Sequence, residues 1–287
     1  MENKLNEATQ NLVEVIENIT GVDDVIQDTI SNKENISVAR TENAEVLIPQ
    51  NFDNPIIISD IEGENVIKMS LPSDFVGDTT VQSDDGTILL KSDEITPVTL
   101  AVQPIEDVMR ALIVIENTSA PKSYRFDIEV PEGHRLITTE AFLQVDGYIG
   151  EVLIVDSENN IINGIEPAWA EDANGKEVKT WYEIDGNTLV QHIEFDDNSA
   201  FPIVADPSIV RIAGCIGAIG KLVFGSLAIA AIAKKVAGAG GIVLVAKKLM
   251  GKKISKAALK KYGKKLTTAV GSITGFPNIR KYCLGRK

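Results

Sequence analysis

The chain has 287 residues, of which 44% are hydrophobic, and a formal net charge of −13. This hydrophobic fraction is enough to build a core, which argues against a wholly disordered chain. With only two histidines and two cysteines, the sequence offers few candidates for a metal site or for histidine-based catalysis.

The first element in chain order is an acidic segment, residues 1–35, with the pattern of an amphipathic helix. Apolar residues recur mostly at three- and four-residue steps among Glu, Asn and Gln, and this spacing places them on one helical face. The segment lacks the basic start and uninterrupted apolar stretch of a secretory signal, so we expect no signal peptide in the sequence as given. The apolar residues are Leu5, Leu12, Val13, Ile16 and Ile19.

Residues 36–206 have the texture of an antiparallel β domain. Short β-branched runs, many alternating apolar and polar residues, are separated by Asp-Gly and Asn-Gly pairs, which favour tight turns. The turn pairs begin at Asp85, Asp146, Asn174 and Asp185. The predicted strands lie within residues 55–59, 65–71, 87–91, 111–115, 124–130, 152–156 and 188–195.

Residues 207–287 differ in charge from the rest of the chain. They contain 17 Lys and Arg and no Asp or Glu, whereas the first 206 residues hold 11 basic and 41 acidic side chains, a net charge of −30. Charge asymmetry of this kind points to a membrane or nucleic-acid interaction. We therefore predict an α+β chain whose mainly β acidic part is followed by an all-α cationic segment.

Two apolar runs rich in small residues lie in the cationic segment. Residues 212–233 form a run that is interrupted only by Lys221. This run is long enough to span a bilayer, since one crossing takes about 20 residues. Residues 236–246 are too short to cross and would insert at the interface. Alternatively, both runs form the core of a small basic helical bundle. The residues predicted to insert are Leu222, Val223, Phe224, Gly225, Leu227, Ile229 and Ile232.

Lysine clusters flank these runs and continue on one face of a predicted basic amphipathic helix. Such clusters are drawn to anionic headgroups. Nucleic acid is the alternative partner, but the tail has few aromatic residues and its Gly- and Ala-rich runs have no evident use there, so we predict no nucleic-acid partner. The predicted membrane-binding residues are Lys234, Lys235, Lys247, Lys248, Lys252, Lys253, Lys256, Lys260, Lys261, Lys264 and Lys265.

The sequence contains no recognisable catalytic or metal-binding motif. It has no Gly-x-Ser-x-Gly elbow, no phosphate loop, and no His-Glu-x-x-His or Cys-x-x-Cys pattern. His134 and His192 stand alone, and His192 falls in an alternating run, so we interpret both as surface strand histidines. We accordingly predict no enzymatic activity, no cofactor and no metal.

Both cysteines, Cys215 and Cys283, lie in the cationic segment, near its two ends. A disulfide between them would close a loop of about seventy residues and stabilise the segment by roughly 4 kcal/mol in the chain-entropy model. An even number of cysteines confined to one segment favours this pairing in an exported protein. In a reducing compartment they would instead remain two thiols.

Three short sequence segments near the start of the cationic region resemble those of a known family. They are residues 167–175 (PAWAEDANG), 186–191 (GNTLVQ) and 201–207 (FPIVADP). With the cationic tail that follows, they resemble the end of closticin-type bacteriocin precursors of Gram-positive bacteria. The resemblance covers about residue 167 onward, and the tail matches in character more than in motif. It implies secretion, release of a bacteria-killing C-terminal peptide at Asp206-Pro207, a processing protease and an immunity protein.

Three functions therefore remain open at the level of sequence. The first is a bacteriocin precursor whose −30 part restrains its +17 part from anionic lipids until cleavage. The second is a surface β adhesion or scaffold domain with a C-terminal membrane anchor. The third is a nucleic-acid-binding tail, which binding assays with vesicles and duplex would separate from the first.

Overall fold

The computed structural model describes residues 2–20, 25–27, 29–41, 44–75, 79–91, 97–106, 108–147, 149–211, 214–223 and 230–285. The fold is α+β, with mainly antiparallel sheets, a helix near the N-terminus and several helices toward the C-terminus, as the sequence predicts. Contacts divide the chain into two compact units. We call residues 1–129 and 168–208 the strand unit, and residues 130–167 and 209–287 the tail unit.

In chain order the described strands are β1 (Asn35–Arg40), β2 (Ala44–Pro49), β3 (Ile56–Asp60), β4 (Ile67–Ser70), β5 (Thr79–Gln82), β6 (Ile88–Lys91), β7 (Val98–Ile105), β8 (Val108–Ile115), β9 (Ser123–Glu129), β10 (Arg135–Thr138), β11 (Val152–Val155), β12 (Ile161–Ile165), β13 (Trp169–Glu171), β14 (Lys179–Asp185), β15 (Thr188–Glu194), β16 (Ile203–Asp206) and β17 (Ser208–Val210). The helices are α1 (Glu2–Thr20), α2 (Thr139–Leu143), α3 (Cys215–Val223), α4 (Ala230–Gly238), α5 (Ile242–Met250), α6 (Lys256–Ile273) and α7 (Pro277–Cys283), with a 3₁₀ turn at Ser73–Phe75.

In the strand unit, helix α1 buries one apolar face. Val13, Ile16 and Ile19 are three residues apart and all buried, so they form one stripe along the helix. The predicted helical segment extends to residue 35, but α1 ends at Thr20. The next residue in the sequence is glycine, which disfavours helix.

The strand unit contains a seven-stranded antiparallel sheet in the order β1-β2-β3-β4-β9-β15-β14. Burial alternates along β9, where Tyr124, Phe126 and Ile128 point inward and their neighbours are exposed. This alternation is the half-buried pattern that predicted the strand. The hairpin of β14 and β15 turns at Gly186-Asn187, directly after Asp185, and Gly186 adopts a positive φ of 62°.

A second set of antiparallel pairs in the same unit joins β5-β6-β7-β8-β16-β13. All eight residues of β7 and all eight of β8 are buried. Strands buried on both faces are mostly apolar rather than alternating, and the buried polar side chains of these two strands are hydrogen-bonded, since Arg110 donates to Oε1 of Gln103 at 2.9 Å.

The tail unit combines strands β10, β11 and β12 with helices α2 to α7. The strands pair antiparallel, and Ile209 and Val210 of β17 pair with Ile165 and Gly164 of β12. The cationic segment is therefore not all-α, since it begins with a short β-branched strand. The predicted boundaries at 35 and 206 also differ from the compact units, because residues 130–167 of the acidic region fold with the cationic tail.

Candidate functional site

The candidate site is the cationic tail, and its most buried element is α5. Five consecutive residues, Ile242 to Ala246, have 0% exposure within a core cluster shared with β11 and β12. Gly164 on β12 makes this approach possible, because a Cβ there would lie 2.2 Å from Cγ2 of Val243. Most of the second apolar run thus lies in the core of the tail unit, but this core includes strands as well as helices and is not the helical bundle of the alternative.

The N-terminus of α5 is capped by a carboxyl group from the acidic region. Glu151 accepts hydrogen bonds from the backbone N–H groups of Ile242 (2.8 Å) and Val243 (2.7 Å) and from the Thr139 hydroxyl (2.7 Å). Gly241 lies so close that a Cβ would sit 2.5 Å from the carboxyl group. The cap satisfies N–H groups that the helix itself leaves without partners.

Burial raises the pKa of Glu151 from 4.5 to about 8. Desolvation is the largest cause, since Glu151 has 0% exposure, and the nearby Glu166 charge adds to the rise. The three hydrogen bonds oppose it. Glu151 is therefore a carboxyl group that keeps its proton at a pH where exposed glutamates have lost theirs.

A second acidic side chain, Glu166, pairs with a lysine of α5 one turn further along. The ammonium of Lys247 lies 2.5 Å from Glu166 Oε1, with side-chain exposures of 2% and 5%. Two charges buried together stabilise each other only as a pair, because each alone would bear the full cost of desolvation. Lys247 is predicted to bind membranes, but in the folded chain it is inside the tail unit.

The other predicted membrane-binding lysines are near the surface. Nine of the eleven are exposed and Lys252 is partly exposed. Ser255 caps the N-terminus of helix α6, since its hydroxyl accepts from the Ala258 N–H at 3.3 Å. Its inner face is apolar and its outer face carries Lys256, Lys260, Lys261, Lys264 and Lys265.

A disulfide joins Cys215 and Cys283, which are 68 residues apart in sequence and have Cα atoms 4.8 Å apart. It links α3 to α7, and both cysteines are buried. At Gly214, just before α3, φ is +74° and a Cβ would lie 3.1 Å from the Tyr282 ring. The bond closes the loop around most of the cationic tail.

Part of the predicted insertion segment lies outside the described residues, namely Phe224, Gly225, Leu227 and Ile229. Of the others, Val223 is buried, and Leu222 and Ile232 are partly buried. They belong to α3 and α4, two helices of nine residues each. Among the described residues, we find no helix with the length and apolarity needed to cross a bilayer.

The predicted cleavage junction is buried in the strand unit. Asp206, the last residue of β16, has 0% exposure, and Pro207 is buried as well. The Tyr182 hydroxyl donates to the Asp206 carbonyl oxygen at 2.7 Å, and the Ser208 hydroxyl donates to Oδ2 of the Asp206 carboxyl group. These contacts hold the junction in place.

His192 is placed on a strand surface, as expected, whereas His134 lies directly before β10 and not in a strand. It bridges Ser123 (Nδ1 to Oγ, 2.8 Å) and Glu183 (Nε2 to Oε2, 3.1 Å) and stacks on Trp181. These are cross-strand neighbours, and the Glu183 side chain is 65% exposed. Within the described ranges there is also no group of three or more His, Cys, Asp or Glu that could hold a metal.

Sequence reasoning missed Glu151 and Glu166, two acidic residues that contact α5. Carboxylates are so frequent in the first 206 residues that no single one stands out. The sequence gives one weak indication that Glu151 has a specific role. This glutamate lies between Gly150 and the wholly apolar strand β11, so no alternation of apolar and polar residues accounts for its charge.

No family model, curated protein or solved structure matches this chain.

Proposed function

We propose that the chain is the precursor of a secreted antibacterial peptide, residues 207–287, which binds anionic bacterial membranes and permeabilises them. The charge pattern supports binding, since 17 basic residues stand in this segment without an acidic one. Basic residues near an anionic surface contribute on the order of 1 kcal/mol each. The exposed lysines of α6 make the first contact.

The observation that carries this proposal is the way residues 130–167 hold α5. This stretch has seven acidic residues and one basic residue. Two of the acids, Glu151 and Glu166, cap the apolar helix and pair its buried lysine. The same helix that would insert into a membrane thus lies in the core of the tail unit, where two acidic side chains contact its N-terminus and its buried lysine.

The contacts that hold the tail in the folded chain and the charges that attract it to a membrane lie on different faces of the tail. The lysines that face solvent keep their attraction for headgroups, whereas the apolar residues 242–246 stay internal. Cleavage at Asp206-Pro207 cuts the covalent link but leaves residues 130–167 in contact with α5. The membrane completes the release, because it offers an apolar environment that competes with strands β11 and β12.

Dye release from vesicles tests this function. The full chain and the oxidised 207–287 peptide are added at equal concentration to vesicles of anionic or zwitterionic lipid. We expect the peptide to release dye from anionic vesicles and the full chain to release far less. High salt should reduce peptide binding, since surface charge interactions are screened over about 10 Å at 0.1 M.

Equal leakage by the full chain and the peptide would contradict the precursor role of the acidic region. Leakage by neither would contradict membrane permeabilisation. The peptide should also inhibit growth of Gram-positive bacteria, and intact-mass measurement of the culture medium should show a species corresponding to residues 207–287. The immunity protein belongs to the same proposal as a partner.

A further inference from the structure

The bond proposed for release is poorly placed for an external protease. Residues 203–211 are all buried, and β16 pairs with β13 on one side and β8 on the other. Proteases cut preferentially at exposed loop tips, and a buried strand is cut only after local opening. A reaction within the chain itself needs no such access.

Three contacts fix the atoms around this bond. The Tyr182 hydroxyl donates to the carbonyl oxygen of Asp206 at 2.7 Å, and the Ala111 N–H donates to the carbonyl oxygen of Pro207 at 3.0 Å. The Ser208 hydroxyl donates to Oδ2 of Asp206. Tyr182, Asp206 and Ser208 are all buried, so bulk water does not compete for these hydrogen bonds.

We propose that the strand unit cleaves its own Asp206–Pro207 bond, with the Asp206 carboxyl group as the nucleophile. The biological meaning of this reaction rests on the proposed release of residues 207–287. The chemistry itself needs only the strand unit and water.

In the first step, Asp206 reacts in its protonated form. A carboxyl oxygen bonds to the main-chain carbonyl carbon of the same residue, the C–N bond to Pro207 breaks, and the carboxyl proton passes to the proline nitrogen. The products are a cyclic anhydride of the succinic type at residue 206 and a free secondary amine at Pro207. In the second step, one water adds to the anhydride and leaves Asp206 with two carboxyl groups.

The contacts act on the step in which charge develops. Attack on the carbonyl carbon places negative charge on the Asp206 carbonyl oxygen, which is the atom that Tyr182 contacts. A donor held in place at such an oxygen contributes about 10²–10³ in rate. Ser208 restricts the carboxyl group, and holding reactants together is itself a large source of rate acceleration.

The test uses the purified full chain, incubated with protease inhibitors and followed by intact mass after denaturation. Both cysteines lie on the same side of the junction, so the disulfide does not tie the fragments together. We expect a 207–287 fragment to form with first-order kinetics that do not depend on protein concentration. Asp206→Ala should abolish it, and Tyr182→Phe should slow it about 100-fold.

Controls separate the proposed chemistry from loss of fold and from the intrinsic weakness of the bond. Asp206→Glu keeps a buried carboxyl group but forms a larger ring, so cleavage should be at least about tenfold slower in a folded chain. Tyr282→Phe removes a hydroxyl from an exposed tyrosine in the tail unit and should leave the rate unchanged. Equally fast cleavage in concentrated guanidinium chloride would overturn the proposal, because the fold would then contribute nothing.

The outcomes distinguish this inference from the proposed function. If the pure chain stays intact while the medium of expressing cells contains the 207–287 peptide, self-cleavage is overturned and the precursor function stands. If the pure chain cleaves but the fragment has no effect on anionic vesicles, self-cleavage stands and the membrane function is overturned.

Discussion

Helices α5 and α6 follow each other in the cationic tail and both carry lysines, yet the fold uses them in opposite ways. Helix α5 has its residues 242–247 buried, with a carboxyl cap and a buried ion pair. Helix α6 buries only one face and leaves five lysines exposed. The comparison teaches that the contribution of a lysine to stability depends on its burial, because a desolvated charge needs a partner of opposite charge and an exposed one does not.

The buried ion pair is the largest expected difference between the two helices. Glu166→Ala leaves the Lys247 ammonium buried without its carboxylate, and we expect the tail unit to lose about 3–5 kcal/mol of unfolding free energy. Urea unfolding measures this loss. Lys248→Ala, at the adjacent exposed position on α5, is the matched control and should change stability by no more than about 0.5 kcal/mol. A small loss for Glu166→Ala would show that α5 is not held by this pair.

The next largest expected change in stability concerns the close packing of α5 against β12. Gly164→Ala places a methyl group 2.2 Å from Val243 Cγ2, so the helix must shift, at a cost of about 1–3 kcal/mol. Gly271→Ala on α6 is the opposite case, because nothing lies within 4 Å of its added Cβ. It should stabilise by about 0.5–1 kcal/mol, since alanine favours helix over glycine.

Thermal or urea unfolding of both glycine variants checks this contrast. Adding Val243→Ala to Gly164→Ala should recover part of the loss, because the clashing methyl is removed and the two changes couple. Equal effects at Gly164 and Gly271 would contradict the tight contact of α5 with β12.

The cap of α5 predicts that the stability of the tail unit depends on pH. Burial raises the folded-state pKa of Glu151 to about 8 from an ordinary 4.5. Between these values the folded unit keeps a proton that the unfolded chain releases. The contribution to stability is therefore complete below pH 4.5 and is lost as the pH rises through about 8.

Unfolding free energy measured across this window should fall by up to about 1.4 kcal/mol per pH unit. Glu151→Gln retains an acceptor for the helix N-terminus but does not titrate, so its slope should be shallower. Glu158→Gln, at an exposed position of the same segment, should keep the parental slope. Identical slopes for all three chains would rule out Glu151 as the source.

The exposed lysines of α6 are expected to have the smallest effect on stability. Changing Lys260, Lys261, Lys264 and Lys265 together to Gln should alter unfolding free energy by no more than about 0.5 kcal/mol per site. The same change in the peptide should weaken binding to anionic vesicles in a salt-dependent way. Unchanged vesicle binding would contradict the electrostatic first contact.

Much of the fold follows from local patterns. The seven predicted apolar runs of the β region all coincide with strands, because alternation and turn glycines are local signals that burial reinforces. The basic amphipathic helix is likewise present as α6. Helix α1 is shorter than predicted, and the cationic segment begins with strand β17, where Ile209 and Val210 favour extended backbone.

What the sequence by itself determined is the division of charge and the strand-rich character of residues 36–206, whereas the pairing of Cys215 with Cys283 was left open until the structure placed their Cα atoms 4.8 Å apart. Only the tertiary structure decided which carboxylates matter, since Glu151 and Glu166 reach α5 across 91 and 81 residues of chain. It also decided that Lys247 is inside and that Asp206 is held by Tyr182. These contacts depend on which strands and helices pack together, and the local sequence around a residue does not indicate a partner so far away in the chain.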